Sequence, residues 1–181
     1  MTTQLNALVE RVESAEALDA PAAAVGRKVR ELLGAGPAKA ALSGSWLGHA
    51  VHPLLTDVPI GMWTSSVLLD WTGGHESEAA ADRLLVAGLV AAGATFASGW
   101  SDWADEESGS GAVRRVGLLH AATNATATAL MLGSCAARRR GDRERGRMLS
   151  LAGSAALGVG GWLGGHLSYS LGSGVRARQP R

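Results

Sequence analysis

One phenylalanine, one tyrosine and one cysteine are all that 181 residues hold of three types on which small soluble domains usually draw. So few large rings argue against an ordinary soluble core, which draws on several such side chains. The single Cys135 excludes an intrachain disulfide and says little about compartment. Neither sign of charge is in excess: 17 Lys and Arg against 16 Asp and Glu leave a formal net charge of +1, so no nucleic-acid partner is expected. Nor does an apolar secretory signal occupy the first 40 residues, which are charged and mixed. What the chain has instead is 25 Gly and 6 Trp, with much of the rest Ala, Leu and Val. Small residues of this kind suit closely packed membrane helices. The mean hydropathy of +0.10 is modest because it averages a polar arm and charged loops with long apolar segments.

Residues 1–41 read as an amphipathic or polar arm. Leu5, Leu8, Val9, Val12 and Leu18 recur at roughly helical spacing, and the helical pattern is broken by Pro21 and ended by GAGP. Such an arm can lie on a membrane surface, pack on the remainder, or extend as a plain polar tail. Residues 42–175 hold four apolar spans, about 53–72, 84–100, 112–137 and 148–171, followed by a basic tail at 176–181. About 20 apolar residues cross the hydrocarbon core, so the last two spans qualify easily and the first two lie near the lower limit. Short polar links between long helices force antiparallel neighbours. The expectation is an all-α, integral-membrane, up-down four-helix bundle. The third and fourth spans show no polar face to give to water, which points to burial in protein or lipid. Inside the spans Asp57 and Asp70 stand out as acids, and the tryptophans sit mostly near span ends, where interfacial aromatics are expected.

Orientation stays open by this reading. The link between the last two spans carries Arg138, Arg139, Arg140, Arg143, Arg145 and Arg147, with Arg83 on the same face. The opposite face has Lys39, Arg114, Arg115, Arg176, Arg178 and Arg181 near the spans, and the arm adds four more cations. Cations on the two faces nearly balance, and the positive-inside rule returns no decision. In the fourth span, Gly160/Gly164 and Gly161/Gly165 are overlapping small-xxx-small pairs that admit another backbone, whether a neighbouring helix or a second copy in a homo-oligomer. Their missing side chains also leave room beside His166 for a flat ligand.

Four of the five histidines fall toward one face of an up-down bundle. His120 lies ~12 Å and His166 ~7 Å from the ends of their spans by the helical rise. His49 and His52 stand at the head of the first span, and Asp102 follows the second. Only His75 is elsewhere. Ionisable groups at membrane depth are functional candidates by default, although a lone histidine can be satisfied by hydroxyls or carbonyls of a neighbouring helix. Two facing imidazoles suit axial ligation of a haem b, with His120 and His166 as the iron ligands, His52 as substitute, and Asn124 one turn inward of His120. Zinc or copper held by His49, His52 and Asp57 is a weaker reading, since no HExxH or Cys–His spacing supports it. Quinone contact is compatible with the same residues. No hydrolase triad, P-loop or dinucleotide fingerprint is present, so electron transfer or scaffolding is favoured over catalysis and no nucleotide cofactor is expected. Because Pro53 disfavours helix at the preceding residue, His52 is expected before the helix. Thr56 or Asp57 then serves as N-cap and Pro59 lies in the first turn.

The stretches SGSWLGHAVHPLLTDVPIGMWTSSVLLD, AAADRLLVAGLVAA, GWSDW, RRVGLLHAATN and GVGGWLGGHLSYSLGSGV resemble, in order, the membrane domain of the bacterial domain-of-unknown-function 2231 family over Leu42–Val175. The family pattern near the first helix is commonly G-H-P-x-H-P; here Ala50 replaces the first proline, and both histidines match at His49 and His52. The resemblance implies a multi-pass protein of the bacterial cell membrane. Relatives often carry a Rieske-type iron–sulfur domain after the fourth helix, which implies membrane redox work. On that analogy an iron–sulfur or cytochrome partner would supply the redox centre. The competing expectation is a structural or anchoring membrane protein whose histidines only hydrogen-bond between helices.

Overall fold

The computed structural model describes Thr2–Gly174; the basic tail expected at 176–181 lies outside these residues. Seven α-helices and no strand occur among them: α1 (Thr2–Glu13), α2 (Asp19–Leu33), α3 (Pro37–Ser43), α4 (His52–Thr72), α5 (Glu78–Glu106), α6 (Gly111–Arg139) and α7 (Arg143–Gly165). A π-helical turn, His166–Ser170, follows α7. Two compact units are built from this order: Met1–His52 with Ala97–Ala121 and Gly161–Arg181, and Pro53–Phe96 with Ala122–Gly160.

The second unit packs lengths of α4, α5, α6 and α7 around Trp63, Leu85, Ala92 and Met131, with Leu157 of α7 against them. Trp63 lies across Gly88, where any Cβ would collide with its indole, and donates its Nε1–H to the Leu85 carbonyl at 3.2 Å. Ser66 Oγ reaches the Ala81 carbonyl and Ser134 Oγ the Gly146 carbonyl, both at 2.7 Å. These bonds require backbones in close approach, which the small residues permit. Asp70, buried near the end of α4, is held by Arg138 and by Arg143 Nη2 at 2.8 Å; Arg138 Nη1 also reaches Asp82 at 2.8 Å. A buried carboxylate is tolerable when paired in this way.

In the first unit, Ala22, Trp103, Val113, Val116, Leu163 and Leu167 form the core, with Val12 and Val25 of the arm packed on it. The arm is therefore part of this unit rather than an extended tail. Trp103 repeats the Trp63 arrangement: its ring covers Gly117 and its Nε1–H meets the Val113 carbonyl at 3.3 Å. Glu107, fully buried, joins Arg30 and Arg114, each at 2.9 Å, and Gly26 leaves room for its carboxylate. Lys39 Nζ bonds Asp105 at 2.9 Å and the Ser101 carbonyl at 2.7 Å.

Three sequence expectations are corrected. Pro21 does not break the arm: it sits in the first turn of α2, and the break falls at residues 14–18. His52 is the first residue of α4 instead of preceding it, because Pro53 then occupies a first-turn position where its missing N–H costs nothing. Thr56 and Asp57 are consequently inside the helix and not caps, Asp57 being exposed, and Pro59 is internal. An internal proline deprives the carbonyl four residues back of its donor. That carbonyl is Leu55, and Thr95 Oγ1 of α5 donates to it at 3.0 Å.

Among the described residues two helical stretches are long and apolar enough to cross a membrane, His75–Glu106 and Arg143–Ser170. The span at 112–137, expected to qualify easily, does not: Arg114, Arg115, His120, Thr123, Asn124, Thr126 and Thr128 dilute it. In the two that qualify, only 28% and 22% of the most apolar window is buried within the protein, whereas a soluble core helix would be mostly buried. Trp63 and Trp103 are buried packing residues, not interfacial ones; Trp46, Trp71 and Trp162 are the exposed rings.

Two outcomes are expected. Thr95→Val, nearly isosteric, leaves the Leu55 carbonyl without its cross-helix donor and should lower stability by about 1–2 kcal/mol in detergent melts. Asp19, bonded chiefly by the Arg115 guanidinium, is held below the usual carboxylate range. Its contribution is present above that range and lost as pH falls through the lowered folded value. Asp19→Asn should therefore flatten the acid limb of the melting-temperature profile, read between about pH 5 and pH 2.

Candidate functional site

Backbone geometry at the end of α7 opens the site. From His166 to Ser170 the helix widens into a π-turn, a form that often marks functional positions. The turn directs His166 Nε2 to Glu13 Oε1, 2.6 Å away, at the last residue of α1. A neutral imidazole that donates its Nε2–H to the Glu13 carboxylate has Nδ1 as its acceptor. Both side chains keep partial exposure, 21% and 29%, so the pair is reachable from outside. It borders a cleft of about 300 Å³ lined by Asn6, Val9, Glu10, Glu13, His166 and Ser170. Asn6, Glu10 and Glu13 share one polar face of α1 by their spacing of four and three.

The other expected histidines meet different surroundings. His49, His52, His120 and His166 all belong to the first unit, and His75 to the second. His52 lies against Gly99, where a Cβ would come within 2.7 Å of Cε1, and its Nδ1 shares a hydrogen bond with Ser98 Oγ at 3.2 Å. His120 packs on Gly164, with 3.0 Å from a Cβ there to its Cε1. In the second unit, Asn124 fills the space over Gly160 in the same manner. His49 is exposed and contacts the Ala50 carbonyl at 3.0 Å through Nδ1. Asp102 is half-buried in the first unit.

This arrangement bears on what could be held. Bis-imidazole haem ligation needs two rings facing one gap. Here His120 is seated on Gly164, and His166 Nε2 is engaged by Glu13, a contact that ligation of an iron through that nitrogen would have to replace. The room expected beside Gly160 and Gly164 is taken by Asn124 and His120, whereas Gly158 and Gly161 have open space around them. Among the described residues no group of three or more His, Cys, Asp or Glu is placed to hold a metal ion, which gives the zinc or copper reading no support.

Glu13 was not legible as a site residue, because its contact with His166 joins positions 153 apart in the chain. Arg115 was counted only as a cation of one face; its bonds to Asp19 and to the Glu13 carbonyl appear only in three dimensions.

The glycines give a paired test. Gly164→Ala should destabilise by about 1–3 kcal/mol, since His120 must shift to admit the methyl. Gly161→Ala, with nothing nearby to meet, should be neutral or stabilising by up to about 1 kcal/mol. Melting curves of the two variants side by side give the comparison.

Neither a curated protein nor a solved structure matches the chain. Residues 48–177 match a family described as predicted membrane protein (DUF2231), and this stretch contains His49, His52, His120 and His166. With well over half of its length inside that match, two apolar helices of spanning length and its exposed apolar surface, the chain belongs to the DUF2231 family of predicted membrane proteins.

Proposed function

We propose that this protein is a multi-pass module of the bacterial cell membrane, associated with redox work, that contacts a quinone through His166 with Glu13 as its hydrogen-bonding partner. In this reading α4–α7 form a four-helix bundle in the bilayer. The exposed Leu54, Val58 and Leu68 on α4, and Leu119 and Leu132 on α6, are what support a lipid-facing surface on the two long helices that are not among the candidate spans.

The single observation that carries the functional reading is the 2.6 Å imidazole–carboxylate pair on a π-turn at an open cleft. A quinone oxygen needs a directional hydrogen-bonding group, which His166 offers in a cleft whose lining is otherwise polar except for Val9. On oxidation a quinol gives up two protons and two electrons. The His166–Glu13 pair can accept one of these protons, and the other leaves to water through the open cleft. The electrons must leave to a separate protein of the iron–sulfur or cytochrome class. The cleft volume is at the lower end for small-molecule sites and suits a single ring better than a macrocycle.

A structural role is the second reading, and a specific observation favours it: His52, His120 and Asn124 each sit on a glycine, as packing residues do. One experiment separates these readings and includes haem. The protein is purified into lipid nanodiscs, titrated with a short-chain quinone analogue, and examined by visible spectroscopy before and after dithionite. His166→Ala and Glu13→Gln are expected to weaken analogue binding at least ~10-fold, about 1.4 kcal/mol, without unfolding the protein. Equal affinity in the wild type and both variants would sink the quinone reading in favour of scaffolding. A Soret band lost in His120→Ala and His166→Ala would replace it with haem.

A further inference from the structure

α1 ends at Glu13, and the last carbonyls of a helix have no donor of their own. Arg115 Nη1 donates to the Glu13 carbonyl, placing a cation at the negative end of the α1 dipole. The same guanidinium grips Asp19, the first residue of α2, in bidentate fashion: Nε to Oδ1 at 2.8 Å and Nη2 to Oδ2 at 2.6 Å. Arg114 Nη1 stands 3.4 Å from Asp19 Oδ1 and adds a second cation to the carboxylate. Arg115 thus closes the α1–α2 connection from both ends and is itself largely covered, with 13% of its side chain exposed. The residue whose backbone it fixes is the residue whose carboxylate meets His166.

The geometry points to Arg115 as a positioning residue for the His166–Glu13 pair: by capping Glu13 and clamping Asp19 it sets where the Glu13 carboxylate lies, and so the tautomer and aim of His166. This role rests on the quinone reading for its functional meaning, but its physical content does not. Only a fork-shaped donor can hold two carboxylate oxygens and a carbonyl at once, so lysine keeps the charge and loses the geometry. The arm has a second tether, Arg30, whose bonds run to Glu107 at 2.9 Å and to the Ala104 carbonyl. Arg30 is the internal comparison.

The test uses the full chain in nanodiscs with ¹⁵N-labelled histidine. The Nε2–H of His166 bonded to a carboxylate gives a downfield proton signal, assigned by its loss in Glu13→Gln and His166→Gln. Arg115→Lys is expected to remove or shift that signal and to weaken quinone-analogue binding about fivefold to tenfold. Asp19→Asn should move it in the same direction, which keeps the idea testable should Arg115→Lys fold poorly. Arg30→Met should leave it in place. An unchanged signal in folded Arg115→Lys and in Asp19→Asn would overturn the assignment, as would an equal change in Arg30→Met, which would mean that any loosening of the arm suffices. A signal lost in Arg115→Lys with analogue affinity intact would uphold the positioning role and remove the quinone reading.

Discussion

Close approach of helix backbones is the constraint on which the rest of this structure depends. Where Gly88, Gly117, Gly160 and Gly164 omit a side chain, a ring or amide from the next helix settles on the peptide surface. Only at that distance can Trp63, Ser66, Trp103 and Ser134 donate to carbonyls of another helix. In apolar surroundings such bonds replace those that water would otherwise make. Polar side chains thus serve as contacts between helices.

Charge is handled by a different device. Asp70 and Glu107 are buried acids, and each is approached by two arginines from other parts of its unit. A near-zero net charge made these cations look like two opposed surface populations. Several are instead paired with internal carboxylates, so they are not free surface cations of either face.

The helical class and the main helices were legible because apolar runs and polar links alternate on the scale of whole helices. Local cues did worse where a distant residue compensates. Pro59 read as a first-turn proline, since nothing near it in the chain shows that Thr95 satisfies the carbonyl it strands. The tryptophans read as interfacial by position, but Trp63 and Trp103 are drawn inward by glycines on neighbouring helices. Histidine clustering was visible as a common unit, yet spacing along a helix says nothing of which way each ring is engaged. Glu13 and Arg115 belong to the site through contacts of 153 and 102 positions, beyond any local pattern.

Gly160 and Gly164, with Asn124 and His120 set over them, also bear on rotational register. Successive residues of an α-helix are displaced by about 100° around its axis. A turn that put Val159 and Leu163 where Gly160 and Gly164 stand would set one amide and one imidazole against side chains. Smooth apolar helices in lipid have little to stop such rotation, because one greasy face resembles another. In the second unit Asn124 over Gly160 resists such a turn, and in the first His120 over Gly164 does so on the stretch that leads into the π-turn of His166.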